Sequence, residues 1–522
     1  MHKLLFLLLI GLGLNAQSNT SFRLYLKDKG SSVELLETPE EFLSKEAIAR
    51  RNLQGIEIGK SDLPIAPEYR QAIKELNAEI LAYSRWFNYL YLQHPNPEIF
   101  AELPFVERIE YPRNHHSHLS KLSAADSLDY GFGRGQIRML NGDKLHLEGY
   151  TGKGVTIAVI DAGFYGLQQA PSMDSLLQSG RLLGTHNFIS GDTNVFGGYG
   201  SHGNSVLSIM AANHPDTLVG TAPHANYWLF TTEDISQETP IEMDYWLMAA
   251  EFADSVGVHL INTSVSYTTF DNSQNNFSYS DLDGNTTLIT KAADKAASKG
   301  ILVVSSAGNN GDQAWQYIGA PADGDSVLSV GAVSYLGDYA QFSSRGPSFD
   351  GRVKPDVAAQ GSPTTLVDGA GIVSFDFGTS YSAPLIAGLA ACLMEAYPAK
   401  EGEEIADYIR QSAHLYTSPN DSLGYGIPNF ELALSLSEPK LIMADEEFKV
   451  YPNPALDHLI IDAQKNTEWQ ATLMIFDLNG QLVKQEQIEA FNAYRLNLNL
   501  EPGLYQIALS GDLNGTFKIL VK

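Results

Sequence analysis

Residues 155–163 read Val-Thr-Ile-Ala-Val-Ile-Asp-Ala-Gly, an apolar run that ends in a carboxylate and a glycine turn. The run has the length of a buried strand, and its end places Asp161 at the rim of a sheet. Segments of the same kind alternate with helical spacing downstream: apolar runs at 227–231, 259–265 and 301–305, helical ones at 204–212, 241–255 and 287–298. This alternation predicts an α/β domain, a mainly parallel sheet with helices on both faces. In such domains chemistry collects at the carboxyl ends of the strands.

Length and composition bound the remaining possibilities. The 522 residues suffice for two or three domains, each with its own core. Lysine and arginine number 34 against 61 acidic residues, and the net charge of −27 opposes binding to nucleic acid or anionic lipid. Cys392 is the only cysteine, which excludes an intrachain disulfide and any metal centre built on several thiolates.

The amino terminus has the organisation of a secretory signal. A short basic start at residues 1–3 precedes an apolar run at 4–14, and Ala16 offers a small residue for cleavage. This run is about half of the roughly 20 apolar residues that a membrane-spanning helix needs, and the run at 384–394 is also too short. We therefore expect residues 1–16 to be a signal peptide and the chain to be exported without a transmembrane segment.

The regions on either side of the α/β domain differ from it in pattern. The first predicts a small α+β unit: strands at 22–26, 86–92 and 105–111, helices at 39–51, 67–81 and 97–103. Residues 114–127 are polar and histidine-rich and read as an exposed connector. Residues 438–447 read as a linker, and the short alternating segments of 448–522, split by proline and Asn-Gly pairs, predict a β-sandwich.

Three segments of the α/β domain carry side chains that could act together. Residues 200–204, Gly-Ser-His-Gly-Asn, place His202 at the start of a helix, and residues 378–384, Gly-Thr-Ser-Tyr-Ser-Ala-Pro, place Ser380 at another. A serine hydroxyl becomes a nucleophile when a base lies within hydrogen-bond reach, and the base needs a carboxylate that holds its tautomer. Ser380, His202 and Asp161 supply these three groups.

A fourth segment completes this chemistry. Residues 305–311 run from a strand into a glycine-bearing turn, and they offer the side-chain amide of Asn309 beside the backbone N–H of Ser380 as donors to an oxyanion. Taken singly, each residue has a structural alternative. Asp161 could cap its loop or bind a ribose or a metal, and His202 and Ser380 could be helix caps. The four together favour catalysis.

With these motifs, residues 129–437 resemble the catalytic domain of the subtilisin-like serine proteases, the subtilases, whose chain order is Asp, His, Ser. The resemblance implies that Asp161 orients His202, that His202 is the general base and acid, that Ser380 is the nucleophile and that Asn309 is the oxyanion donor. It also implies a substrate-pairing strand with a specificity pocket, formed by Ser264, Val265, Ser266, Gly308 and Gly319.

Pocket size follows less directly from the resemblance. Gly319 and Ala322, small residues a family-like interval after the oxyanion turn, imply room for a large apolar or aromatic side chain. The alternative is that this loop is simply a turn. The chain also departs from the family pattern beside the machinery: Ala162 replaces Ser or Thr, Asn204 replaces Thr, and Tyr381-Ser382 replaces Met-Ala. None of these changes removes a catalytic group.

Both flanks have their own resemblances. Residues 17–128 resemble, by position, the inhibitory propeptide of subtilases, with an unrelated retained domain as the alternative. The Tyr-Pro-Asn-Pro motif at 451–454 and the basic, apolar end at 518–522 are similar to the sorting domains of type IX secretion, and a carbohydrate or adhesion module is the alternative. The resemblance therefore implies its own propeptide and the secretion machinery as partners, and a location outside the cell or on its surface.

We expect a secreted serine endopeptidase acting on protein or peptide substrates through an acyl-enzyme. The alternative is a catalytically silent surface-binding protein on the same scaffold. The chemistry requires no cofactor, although loop acids could bind structural calcium as in many subtilases: Asp271, Asp281, Asp283 and Asp323. We read the histidines elsewhere as solvated rather than as metal ligands: His115, His116, His118 and His146.

Overall fold

The computed structural model describes residues 20–111, 130–198, 200–437 and, near the carboxyl end, 449–451, 455, 458–462, 468–476, 482–491, 493–498, 500, 503–511 and 515–521. The chain divides into two units, Met1–Ser435 and Leu436–Lys522. The expected signal peptide, the connector at 114–127 with its histidines, and the linker at 438–447 lie outside the described residues. Among the residues that are described, no helix is both long and apolar enough to cross a membrane.

The amino-terminal region forms an antiparallel sheet of order β2-β3-β1-β4 with two α-helices. Its elements are β1 (Thr20–Leu26), α1 (Lys45–Gln54), α2 (Pro67–Glu75), β2 (Glu79–Ser84), β3 (Tyr89–His94) and β4 (Val106–Glu110), with short 3-10 helices at Gly30–Glu37, Pro39–Glu41, Lys60–Asp62 and Pro97–Glu102. Alternate residues of β1 and β3, among them Phe22, Leu24, Leu90 and Leu92, bury a core of their own.

Three elements predicted in this region differ from the structure by three residues or more. The helix expected at 39–51 begins at Lys45, after a separate 3-10 helix at Pro39–Glu41. The helix expected at 67–81 ends at Glu75, because Asn77 adopts a left-handed φ of 60° that α-helices do not continue through, and the chain resumes as β2. The strand expected at 86–92 starts at Tyr89, because Asn88, at φ 55°, belongs to the turn that joins β2 to β3. Both turns depend on asparagine, which tolerates this conformation better than most residues.

The central region alternates strands and helices. Its strands are β5 (Thr156–Asp161), β6 (Leu182–Asn187), β7 (Asn213–His214), β8 (Leu218–Val219), β9 (Asn226–Thr231), β10 (Leu260–Thr263), β11 (Leu302–Ser306), β12 (Val327–Ser334), β13 (Val357–Ser362), β14 (Thr364–Val367) and β15 (Val373–Asp376). Its helices are α3 (Arg134–Arg138), α4 (Gly142–Leu147), α5 (Asp174–Gln178), α6 (His202–Ala211), α7 (Ile241–Ser255), α8 (Leu288–Ala297), α9 (Thr379–Ala396), α10 (Gly402–Gln411) and α11 (Phe430–Ser437), with 3-10 turns at Leu167–Gln169, Pro171–Met173 and Tyr279–Asp281.

Seven of these strands form one parallel sheet of order β13-β12-β11-β10-β5-β9-β6. All six residues of β5 are buried because helices cover both faces. Ile157 and Val159 point into the core shared with α6 and α9, whereas Ala158 and Ile160 point into the core shared with α7 and α8. This is the three-layer α/β fold that the sequence predicts.

The register of the sheet brings its functional ends together. Asp161, the last residue of β5, pairs with Thr231 at the end of β9, while Ile160 pairs with Thr263 at the end of β10. Thr263 in turn pairs with Ser305 near the end of β11. The segments that follow these strands therefore emerge side by side on one edge.

Helix α7 carries an acidic stripe against which the amino-terminal region packs. Asp244, Glu251 and Asp254 lie seven and then three residues apart, so they share one helical face, and all three are buried. Asp254 accepts bonds from Arg50, Arg51 and Arg85, at 2.8, 2.6 and 3.4 Å. A buried ionic contact thus joins the two regions.

The other two acids of the stripe are bound in the same way. Glu251 accepts the Ser84 hydroxyl at 2.5 Å and the backbone N–H groups of Arg85 and Trp86 at 2.9 and 3.0 Å. Asp244 accepts the Arg23 Nε at 2.8 Å and the Tyr89 hydroxyl at 2.6 Å. Every carboxylate of the stripe therefore has its partners on the amino-terminal region.

The second unit is all β. Its strands are β16 (Lys449–Tyr451), β17 (His458–Asp462), β18 (Glu468–Phe476), β19 (Leu482–Phe491), β20 (Ala493–Asn497), β21 (Gly503–Gly511) and β22 (Gly515–Val521). They form two sheets, β16-β17-β20 and β19-β18-β21-β22, whose described pairs are antiparallel. Residues of both sheets, among them Leu459, Ile461, Leu473 and Ile507, share one core. This is the architecture of the predicted β-sandwich.

We predict that Gly388→Ala destabilises the chain, although alanine usually favours a helix interior by about 0.5–1 kcal/mol. A Cβ at Gly388 would lie 1.9 Å from Oγ1 of the buried Thr221, so the overpacking should lower the free energy of unfolding by about 1–3 kcal/mol. Gly135→Ala in α3 is the control, because no heavy atom lies within 4 Å of its Cβ position. Denaturant unfolding of both variants measures the difference; a stabilising Gly388→Ala would contradict the packing.

Candidate active site

Asp161 and His202 form a hydrogen-bonded pair at the carboxyl edge of the sheet. Asp161 ends β5 and is fully buried, and its Oδ1 lies 2.7 Å from Nδ1 of His202, the first residue of α6. The backbone N–H of Ala162 donates to the same oxygen at 2.7 Å. The Asp161 Oδ2 has no hydrogen-bond partner within the described part of the chain. Because Nδ1 faces the carboxylate, Nε2 is left to face the solvent side of the site.

The electrostatics of this pair favour a protonated imidazole. Burial by itself would lower the pKa of His202, but the charge of the Asp161 carboxylate and its hydrogen bond outweigh it, with smaller contributions from Asp376 and Glu233. The pKa of His202 is therefore raised above its ordinary value. Such a base holds an abstracted proton well.

Ser380 lies in the first turn of α9, buried except for about 6% of its surface. Its Oγ donates to the Ser264 carbonyl at 3.3 Å, while the Ser264 hydroxyl donates to the Ser380 carbonyl at 2.9 Å. In the described structure Ser380 makes no hydrogen bond to His202. The two lie in neighbouring elements, because the ring centroid of Tyr381 is 5.7 Å from that of His202. The pair Asp161–His202 is thus assembled, and the third group is adjacent.

Asn309 is fixed beside the start of α9. Its Oδ1 accepts both the backbone N–H and the hydroxyl of Thr379, at 2.9 and 3.0 Å. Thr379 Oγ1 also accepts the backbone N–H of Gly308 at 3.1 Å, so it locks the turn after β11 to the serine segment. With its oxygen engaged, the Asn309 amide turns its NH₂ toward Gly378, 3.6 Å from the Cβ position of that glycine. The amide donor and the backbone N–H groups at this helix start converge.

The residues predicted for the substrate site come together beside Ser380. Ser264, Val265 and Ser266 follow β10 directly. A Cβ added to Gly308 or Gly319 would lie 2.9 or 2.2 Å from Ser266 Oγ, so the serine hydroxyl sits between the two glycines. Only glycine leaves room for it at these positions.

Ala322 behaves differently from the other predicted pocket residues. It is fully buried within the core shared with α7 and α8. A position in that core gives Ala322 a packing role, and the predicted preference for a large side chain stays a prediction.

Two of the residues that depart from the expected family pattern, Asn204 and Tyr381, donate hydrogen bonds to one β-hairpin, formed by β14 and β15. Asn204 Nδ2 donates to the Asp368 carbonyl in the hairpin turn at 2.9 Å, a bond that a threonine hydroxyl is too short to reproduce in the same way. The Tyr381 hydroxyl donates to Asp376, the last residue of β15, at 3.0 Å. The third departure, Ala162, has no hydroxyl to offer the unpaired Asp161 Oδ2. The first two departures therefore bind the hairpin, whereas Ala162 leaves Asp161 Oδ2 without a partner among the described residues.

The sequence reasoning missed two acids near the site, Asp376 and Glu233. Glu233 follows β9 by two residues and accepts hydrogen bonds from the hydroxyls of Thr232 and Tyr267, at 2.7 and 2.6 Å. Burial raises its pKa, and the Asp161 charge adds to the effect. Its position beside Asp161 follows from the sheet order, in which β9 neighbours β5, and not from any spacing in the sequence.

Three of the four loop acids predicted as calcium ligands accept hydrogen bonds from nearby groups. Asp281 caps Ser278, Asp283 binds Asn285 and Thr286, and Asp323 accepts bonds from Gly284 and Thr290. Within the described residues, the only His, Cys or acidic side chains grouped closely enough to hold a metal ion are Glu233, Glu238 and Glu242. The four predicted aspartates do not form such a group.

His146 is not solvated as expected. It is half-buried, with Nε2 2.9 Å from the Thr221 carbonyl and Nδ1 3.1 Å from the Tyr130 hydroxyl. Burial lowers its pKa, so a neutral imidazole joins the two segments. The role of His146 is structural, and no motif in the sequence indicates its two partners.

Comparison with known families matches three parts of the chain. Residues 152–426, just over half of it, match the subtilase family; residues 21–126 match the peptidase S8 propeptide domain of Bacteroidota; and residues 449–522 match the secretion system C-terminal sorting domain. Subtilisin E of Bacillus subtilis is 29% identical over 311 residues, covering 59% of this chain and 72% of its own.

One further curated relative and one solved structure are also similar to this chain. Subtilisin of Bacillus pumilus is 29% identical over 59% of this chain and 99% of its own. Among solved structures, the crystal structure of MycP1 with the N-terminal propeptide removed is 22% identical, with a TM-score of 0.47, and the match covers 58% of this chain and 98% of that one.

We predict that the His202 imidazole in the uncleaved Ser380→Ala protein titrates with a pKa above 6.5. Asp161→Asn should lower this pKa by about 1–3 units, because burial then acts without the carboxylate. NMR of ¹⁵N-histidine-labelled protein reads the titration, with assignment by His202→Gln. His224, which bonds Thr151 instead, is the internal control. A His202 midpoint at or below 6.5 would contradict the described electrostatics.

Proposed function

The chain belongs to the subtilase family of serine-type endopeptidases, and from that premise we propose that it hydrolyses peptide bonds through Asp161, His202 and Ser380. The observation that supports this assignment most strongly is the 2.7 Å bond between Asp161 and His202, in a site where Asn309 is locked beside Ser380 by Thr379. The acyl-enzyme, the roles of the four residues and their order of action are part of the proposal.

In the proposed first step, the Ser380 hydroxyl leaves the Ser264 carbonyl and attacks the scissile carbonyl carbon. His202 Nε2 takes the hydroxyl proton, and Asp161 stabilises the imidazolium that results. The negative charge that develops on the carbonyl oxygen is met by the Asn309 NH₂ and the backbone N–H of Ser380. His202 then returns the proton to the leaving amine, so the C–N bond breaks and the acyl group stays on Ser380.

The second step reverses these roles with water in place of the amine. His202 takes a proton from the water, whose oxygen attacks the ester carbonyl, and returns that proton to the Ser380 oxygen as the acid product leaves. No cofactor enters either step. The raised pKa of His202 implies that activity is lost as the pH falls through a value above 6.5, because only the neutral imidazole accepts the proton.

The substrate is proposed to bind as an extended chain along residues 264–266. These residues follow β10 and lie next to Ser380, so a peptide paired with them would present its scissile bond to the nucleophile. The residue before that bond would occupy the space bounded by Ser266, Gly308 and Gly319. A cleavage profile on a peptide library tests the predicted preference for large apolar side chains; dominance of small or acidic ones would refute it.

The amino-terminal region is a subtilase propeptide domain by its family match, and we propose that the α7 stripe is what it neutralises. Without it, Asp244, Glu251 and Asp254 would lose the partners that hold them in the described structure. Its aromatic residues Trp86 and Tyr89 also join the core on this face of the sheet. A chain folding alone would have to place three unpaired carboxylates on one helix face, which supports a chaperone role for residues 17–128.

The sorting domain at residues 449–522 implies export by type IX secretion, to the cell surface or beyond it. We propose that residues 1–16 direct the first step of this route, across the inner membrane, as a cleaved signal peptide. The domain boundaries at 128, 437 and 447 are part of the same proposal. Mass spectrometry of the exported protein would locate the cuts.

We predict that processed protein cleaves a peptide substrate and that Ser380→Ala abolishes the cleavage. Asn309→Ala should lower kcat about 10²–10³-fold with a small change in KM, the range known for the oxyanion donor of subtilisin. Steady-state hydrolysis measures both, with Gln313→Ala as the control, since its side chain bonds only the Asn309 carbonyl. A folded, processed protein without activity would favour the silent surface-binding alternative.

We predict that Asp254→Asn has opposite effects before and after the propeptide leaves. In the uncleaved Ser380→Ala protein it should cost about 3–5 kcal/mol, because the buried Arg50, Arg51 and Arg85 lose their shared counter-charge. In the processed protein it should be neutral or stabilising, because it then relieves repulsion within the stripe. Thermal unfolding of both forms checks this, with the exposed Glu148→Gln as control. An equal loss in both forms would show that Asp254 serves the catalytic domain alone.

A further inference from the structure

The residue after the proposed nucleophile is anchored by an acid outside the expected machinery. Tyr381 donates its hydroxyl to Asp376 Oδ2 at 3.0 Å, and the backbone N–H of Phe377 donates to Oδ1 of the same carboxylate at 2.9 Å. Tyr381 and Asp376 each expose only 6% of their surface. Since Asp376 ends β15, the tyrosine ring is fixed from the hairpin side as well as from α9.

The anchored ring lies close to the proposed general base. The ring centroids of Tyr381 and His202 are 5.7 Å apart, with an interplanar angle of 39°. Asp161 holds the imidazole by a hydrogen bond to Nδ1. A ring fixed at this distance by Asp376 can restrict movement of the imidazole about that bond.

The hairpin that carries Asp376 is itself fastened to the histidine helix. Asn204 donates to the Asp368 carbonyl at 2.9 Å, and the Ser205 hydroxyl donates to the Val367 carbonyl at 3.0 Å. The Val367 N–H donates to the Ser208 hydroxyl at 2.8 Å. Hydrogen bonds therefore connect helix α6 to the hairpin and the hairpin to the start of α9, and His202 is the first residue of α6.

Three carboxylates raise the pKa of the His202 imidazole through their charge, each from a different element. They are Asp161 at the end of β5, Glu233 in the segment after β9 and Asp376 at the end of β15. Tyr381 is the remaining titratable neighbour, and burial raises its pKa so far that its hydroxyl stays protonated. Asp376 is thus the second charge acting on His202 after Asp161, and it acts through space while it holds the tyrosine.

We propose that Asp376 and Tyr381 are a positioning pair for the reaction, with Tyr381 confining the His202 imidazole and Asp376 holding the tyrosine and supplying negative charge to the base. The inference rests on the proposed function of His202 as general base. It explains why the chain carries tyrosine after Ser380 together with asparagine at 204: both side chains bind the same hairpin.

The test separates the charge from the anchor. Asp376→Asn removes the charge and can keep both contacts, because its oxygen can accept the Phe377 N–H while its NH₂ donates to the Tyr381 hydroxyl oxygen. The acid limb of kcat/KM should therefore move down by about 0.5 pH unit while the plateau changes little. Tyr381→Phe keeps the ring and the charge, so the acid limb should stay while kcat falls about 3–10-fold at nearly constant KM. The double variant should show both effects together, the shifted acid limb and the lower kcat, because the charge and the anchor act on different quantities.

A second measurement covers variants that are not processed. In the uncleaved Ser380→Ala protein, NMR titration of His202 should show the same downward shift on Asp376→Asn, and none on Glu148→Gln, an exposed acid on the end of α4. A merely structural role would lower the melting temperature and the active fraction but leave the pH midpoint in place.

The outcomes distinguish this inference from the function beneath it. Hydrolysis by the unsubstituted enzyme with an acid limb that ignores Asp376→Asn would overturn the role of the pair alone. An unchanged kcat in Tyr381→Phe would show that the hydrogen bond from Tyr381 to Asp376 does not position His202. Absence of hydrolysis by folded, processed, unsubstituted protein would overturn the proposed function and this inference with it.

Discussion

The parallel sheet is the constraint on which the site depends. Because its seven strands run the same way, the segments after β5, β9, β10 and β11 leave the sheet at one edge, and they deliver Asp161, Glu233, Ser264 and Asn309 to one place. The two helices that begin there, α6 and α9, then need only their first residues to add His202 and Ser380. The hydrogen bond from His202 to the buried Asp161 converts this proximity into a defined orientation of the base.

The same layered fold places buried carboxylates on helix α7, and the amino-terminal region provides their partners. Helix α7 covers one face of the sheet and has no basic residue. Among the described residues, the carboxylates on its outer face pair with Arg23, Arg50, Arg51 and Arg85. Buried ion pairs contribute little net stability, yet losing one partner is expensive. Loss of the amino-terminal region would therefore leave Asp244, Glu251 and Asp254 without these partners.

The sequence allowed the sheet edge and the site to be anticipated because both depend on local pattern. The continuous apolar run of β5 and the glycine-flanked starts of α6 and α9 are visible in a short window. Strands β12 and β13 were not predicted, because serine, glycine and glutamine interrupt their apolar pattern. They are strands because they are buried between helices. Asp376 and Glu233 were not predicted as site residues, because the fold brings them close to His202 and no spacing in the sequence indicates it. The acids predicted for calcium were plausible by type, but their hydrogen bonds go to nearby backbone and hydroxyl groups.

The central claim is that Ser380 is an activated nucleophile in this site. The most direct measurement is to treat purified, processed protein with a fluorophosphonate probe, alongside its Ser380→Ala variant, and to locate the adduct by mass spectrometry. We predict one adduct per chain, on Ser380, with a rate of labelling that falls at acid pH as His202 becomes protonated. A folded, processed protein that takes no label, or takes it on another serine, would contradict the account.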